Sequence, residues 1–112
     1  MANNGYNGYP NYETWLCSLY YENTNLMTWY EDYYTEEEME QKIADDYDDI
    51  VRSTGEILDN DFYGTLSEDC GYRTSSTIFE WAIVAFNKID FDYIAKNWVD
   101  EFITERRNER GQ

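Results

Sequence analysis

The chain has 112 residues, enough for one domain with a modest core, and 19% of them are aromatic, too much for a disordered acidic tail. Twenty-four acidic residues against eight basic ones leave a formal charge of −16, which argues against direct binding to nucleic acid or to anionic membranes. Histidine is absent, so Ser–His–Asp and Cys–His catalysis and histidine-containing zinc sites are excluded, and two lone cysteines, Cys17 and Cys70, cannot make a four-thiolate site.

Residues 1–10, MANNGYNGYP, read as a flexible N-terminal arm, 11–108 as a single helical domain and 109–112 as a tail. Asn11 is placed to cap a helix running to about Glu22, with Tyr12, Trp15, Leu16, Leu19 and Tyr20 as its apolar residues and Glu13 in its first turn. After the turn signal ENTN, Thr24 or Asn25 caps a short helix reaching about Tyr34. Thr35 with Glu38 forms a capping box, the clearest helix start in the chain. Met39, Ile43, Tyr47, Ile50, Val51, Thr54, Ile57 and Leu58 then keep a helical period for almost six turns, which Gly55 weakens by about 1 kcal/mol relative to alanine.

Residues 59–76 mix turn formers with isolated apolar residues and read as a loop, with room for a short helix around Thr65 to Cys70. Ser75 or Ser76 opens the most apolar helix, in which Phe79, Ala82, Ile83 and Phe86 are spaced for burial. Asp90 or Phe91 starts the last helix, with Ile94, Ala95, Trp98, Phe102 and Ile103 on one side and Arg106, Arg107 and Arg110 at its end, where cations suit the dipole. The fold class is all-α: a compact single-domain bundle of four to five helices with an aromatic-rich core. A small sheet around Ile78 to Phe86 is the competing expectation. Cys17 lies in an apolar stretch and reads as a buried thiol; Trp15, Trp29, Trp81 and Trp98 are expected to anchor the core, with tyrosines around its rim. With no secretion signal and no run of 18 apolar residues, the expected location is the cytoplasm.

The charge is not spread evenly. Between Glu31 and Asp69 there are fifteen acidic residues against Lys42 and Arg52 alone. The stretch EEEMEQKIADDYDDI, 36–50, holds eight of them. A partner-binding acidic face is therefore assigned to Glu36, Glu37, Glu38, Glu40, Asp45, Asp46, Asp48, Asp49, Glu56 and Asp59. On a helix, carboxylates three or four residues apart stand about 5–6 Å from one another. Successive phosphates of one nucleic-acid strand have a similar spacing, so a fixed row offers a basic groove much the same potential. A solvated face serving solubility is the bland reading of the same residues. Tyr30, Tyr33 and Tyr34 border the band and are candidate aromatic anchors; Tyr47 belongs to the fold.

Other chemistry is thin. No phosphate-binding glycine loop is present, and no cofactor is expected. Asp59, Asp61 and Gly64 match three places of a calcium loop, but Tyr63 and Cys70 stand where ligands belong, so no dedicated metal site is expected. Carboxylate pairs such as Asp45 with Asp49 are too numerous to mark a glycosidase, and an enzyme is not expected.

Two stretches carry a resemblance. NGYPNYETWLCSLY, 7–20, resembles the opening of a family of small acidic proteins of phages, archaeal viruses and plasmids with an N-terminal Asn-Tyr-Glu-Thr-Trp signature, here Asn11, Tyr12, Glu13, Thr14 and Trp15. FDYIAKNWVDEF, 91–102, is similar to that family's closing segment, through Ile94, Ala95, Asn97 and Trp98. The resemblance implies a mobile-element setting and no catalytic residues; by type it suggests anti-CRISPR or anti-restriction proteins that occupy a nucleic-acid groove. Together with the acidic band, it leads to the expectation of a nucleic-acid mimic that blocks a basic DNA- or RNA-binding surface of a host defence protein. The alternatives are an interaction module that dimerises or binds a partner through tyrosine-rich helices, and a divalent-cation-responsive protein.

Overall fold

A computed structural model describes residues 7–70 and 77–111, with side chains placed except at residues 69, 70 and 77–79. It holds six helices and no strand among the described residues: α1 (Tyr12–Tyr20), α2 (Leu26–Tyr30), α3 (Glu36–Asp45), α4 (Tyr47–Cys70), α5 (Thr77–Phe86) and α6 (Phe91–Arg110). The all-α single domain is thus as expected. Most of the N-terminal arm, the 71–76 part of the expected loop and the Ser75/Ser76 cap lie outside the described residues.

Local chemistry sets most helix starts. Asn11 Oδ1 accepts the Thr14 N–H at 2.8 Å, Asn25 caps α2, and Thr35 and Glu38 exchange both bonds of a capping box. Asp90 Oδ1 accepts the Tyr93 N–H at 3.0 Å to open α6. Several element boundaries differ from those expected. The six-turn helix is two helices, because Asp46 ends one and starts the next: its N–H donates to the Lys42 carbonyl, and its Oδ1 accepts the Asp49 N–H at 3.1 Å. Beyond Asp59 the chain does not loop out but continues as α4 to Cys70, since Leu58, Phe62 and Leu66, four residues apart, share one face against the core. Helical geometry there also removes the partial calcium loop. At the other end, α6 takes in residues 109 and 110 of the expected tail.

The long helices α4 and α6 make the main seam. On one side Leu58 packs among Cys17, Tyr21, Phe86, Phe91, Ile94 and Ala95; on the other Leu26, Met39, Ile43, Ile50, Val99 and Phe102 form a second cluster. Val51 and Trp98 touch both clusters. Trp81 is no anchor: it is 76% exposed. The helix α1 buries Thr14 and Cys17 rather than its larger apolar residues.

The two stretches with family resemblance meet through α1 and α6. Asn11 Nδ2 donates to the Lys88 carbonyl at 2.8 Å, and the buried Thr14 Oγ1 accepts the Asp90 N–H at 2.9 Å, so α1 holds the α5–α6 turn in place. Tyr21 stacks edge-on against Trp98. In Thr14→Val the Asp90 N–H loses its partner, and urea unfolding should show a loss of about 1–3 kcal/mol.

Candidate functional site

The α3 N-terminus carries Glu36, Glu37 and Glu38, where the partial positive charge of the helix end favours carboxylates. They do not all face the same way. Glu36 and Glu40, one turn apart, turn toward α6: Arg106 Nη1 donates to Glu36 and its Nε to Glu40, both at 3.2 Å, and Arg110 also holds Glu40. The Arg106 and Glu40 side chains are only 18% and 20% exposed, so this pair is a latch between α3 and α6 rather than a presented surface. Glu38 is occupied in its capping box, while Glu37 is exposed.

At the corner between α3 and α4 the carboxylates crowd outward. Asp45, Asp46 and Asp48 are exposed, Asp45 accepting from Gln41 Nε2 at 2.9 Å. Asp49 is half-buried and bridges to Arg52 at 2.8 Å, an exposed pair worth no more than about 1 kcal/mol. Farther along α4, Glu56 and Asp59 are exposed and line a polar cleft of about 450 Å³ with Asp90, Asp92 and Lys88. The ten assigned carboxylates are therefore split between two helices, and no single straight row exists.

Sequence reading placed α6 but missed its part in the acidic surface. Glu101 and Glu105 are exposed and border a small groove together with Glu36, extending the acidic surface across the bundle. Their four-residue spacing on a helix already assigned was the available signal.

The bases are largely consumed within the fold. Arg52, Lys96, Arg106 and Arg110 are each held by a carboxylate, and the Lys42 ammonium sits 4.6 Å from the centre of the Tyr34 ring. Of the aromatic candidates, Tyr33 is 76% exposed, Tyr34 is half-buried under Lys42, and Tyr30 is half-buried with its hydroxyl 3.0 Å from that of Thr54. Tyr47 is tied inward, donating to Asp100 Oδ1 at 2.6 Å. Burial pushes the Cys17 thiol up to about 12, which leaves it protonated and inert as a nucleophile. Among the described residues no group of three or more potential ligands is placed to hold a metal ion, and no helix is long and apolar enough to cross a membrane.

The hydrogen bond from Arg110 holds the Glu40 carboxyl below its ordinary value, against the opposing effect of burial and with help from Arg106. A carboxyl depressed in the folded state contributes stability above its unfolded pKa of about 4.3 and loses it as pH falls through the folded value. The stability difference between wild type and Glu40→Gln should therefore be largest above about pH 5 and shrink toward pH 3, read from paired urea titrations.

Fold and surface together define a small all-helical domain in which most of the described bases pair internally and carboxylates face outward from α3, α4 and α6. The chain belongs to DUF7249, a family of unknown function, whose model matches residues 2–106. No curated protein and no solved structure matches it.

Proposed function

We propose that the protein is a stoichiometric inhibitor that blocks the basic DNA- or RNA-binding surface of a host defence protein, such as a CRISPR effector or a restriction complex, in the host cytoplasm. One observation carries this reading: Glu37, Asp45, Asp46 and Asp48 project from two helix starts and the corner between them, while the nearby bases are turned to internal partners. Outward carboxylates clustered at a fixed corner offer lysines and arginines the negative potential that a phosphodiester strand offers, without flexible side chains from the inhibitor's own bases to neutralise them. Glu101 and Glu105 widen the footprint across α6. Charge complementarity of this kind speeds encounter and makes the complex salt-sensitive. The resemblance to small proteins of mobile elements supplies the setting.

The test is capture from host lysate on immobilised protein, at low and high salt, beside the variant Glu37→Gln/Asp45→Asn/Asp46→Asn/Asp48→Asn. All four residues are exposed, and asparagine at 46 still caps α4. Wild type should retain basic nucleic-acid-binding proteins that elute as salt rises, and the variant should retain them at least about tenfold less well. Equal retention by the variant, or retention of acidic proteins alone, removes the reading.

A further inference from the structure

Some 20–30 Å along α4 from the acidic corner, taking about 1.5 Å per residue, the surface changes character. There α1, the second half of α4 and α5 enclose a groove of about 530 Å³, lined among others by Leu16, Leu19, Tyr20, Leu66, Ala85 and Ile89. Its α1 wall is open to solvent as apolar surface: Leu16 is 47%, Leu19 40% and Tyr20 55% exposed. This is the face that sequence periodicity assigned to the core of α1.

We propose that this groove receives an amphipathic α-helix of a partner protein, one whose apolar face is flanked by lysines or arginines. Two features select that occupant. The first is the want of hydrogen-bonding groups: among the described residues Glu13 is the one charged residue of the lining, and the rest of it is almost wholly aliphatic or aromatic. An extended peptide or a polar ligand would lose backbone or head-group hydrogen bonds there, whereas a helix satisfies its own main chain and needs only apolar contact at i, i+3/i+4 and i+7. The second is charge. Neither α1 nor α5 contains a lysine or arginine, and from Leu58 to Cys70 α4 contains none either, while these segments carry Glu13, Asp59, Asp61, Glu68 and Glu80 and Glu13 lines the groove itself. Lys88, next to Ile89 at the groove's end, shares a cleft with Asp59. A second copy would set the same acidic rim against this one, with −16 on each chain, whereas basic flanks would be drawn in. Arg73 falls outside the described residues. The groove is separate from the corner, and the inference does not rest on the inhibitor reading.

The probe is a labelled, idealised Leu/Lys helix of about 18 residues, roughly 27 Å long, titrated by fluorescence anisotropy at about 0.15 M salt. Controls are a scrambled peptide of equal composition, which has no apolar face, and a Leu/Glu counterpart. The Leu/Lys helix should bind at least about tenfold more tightly than either control, and Leu16→Glu and Leu19→Glu should each weaken it about tenfold or more with an unchanged melting temperature. Both residues are exposed, so each variant tests the surface rather than the core. Glu13→Lys should weaken the Leu/Lys helix and strengthen the Leu/Glu one. Equal binding of the scrambled peptide, indifference to both glutamate variants, or a dimer in sedimentation that Leu16→Glu dissociates would overturn the proposal, the last by assigning the groove to a second copy.

Discussion

In Leu58→Ala the unfolding free energy falls by about 3 kcal/mol, within the range of about 2–5 kcal/mol for emptying a fully buried leucine site. Leu58 has no exposed surface and lies where α4 meets Cys17 and Tyr21 of the first helical segment, Phe86 of α5, and Phe91, Ile94 and Ala95 of α6. Rings dominate this neighbourhood, with Phe86 and Phe91 in edge contact and Phe62 tilted against Phe91, and rigid rings collapse poorly into a void. In a domain this size the melting temperature should drop on the order of 10–20 °C. A loss under about 1 kcal/mol would mean that the α4–α6 seam is not the centre of the core.

Gly55→Leu should cost about 2–3 kcal/mol by overpacking, while Gly55→Ala stays within about 1 kcal/mol of wild type. A β-carbon at Gly55 would press on Asp92 Oδ1 and lie 3.4 Å from the Asp92 Cα. The first contact is with the end of an exposed side chain that can rotate away, so alanine gains helix propensity at small cost. The branched end of leucine meets the α6 backbone itself and forces the two helices apart. The glycine that looked in sequence like a weak point of a helix is thus the point of close approach between α4 and α6. Equal stability of the leucine and alanine variants, measured by urea unfolding, would contradict that.

Where structure is decided by neighbours in the chain, the sequence was readable. Asn11, Asn25, the Thr35–Glu38 box and Asp90 all cap as their side-chain chemistry dictates. The break at Asp46 was not visible, because Ile43, Tyr47 and Ile50 keep helical spacing across it and the stop signal is an aspartate rather than glycine or proline. The extension of α4 through residues 59–70 was hidden by Asp, Asn, Gly and Ser, whose local preferences yield to the packing of Phe62 and Leu66. On α1 Cys17 is inside as its apolar surroundings indicate, but tertiary geometry places Thr14 beside it rather than the larger side chains that suggested the buried face. Charge placement was partly legible: the carboxylates of 36–59 could be found by composition, but which of them turn to Arg106 and Arg110 depends on where α6 lies.

The proposed inhibition requires the outward carboxylates to occupy the place of a phosphate backbone. The most direct measurement is displacement: a fluorescent duplex or single strand bound to the captured basic protein, titrated with this protein at fixed salt. Release of the strand in step with one equivalent of inhibitor, and its retention when the Glu37/Asp45/Asp46/Asp48 variant is used instead, is the predicted result. A ternary complex in which nucleic acid and protein remain bound together would contradict it.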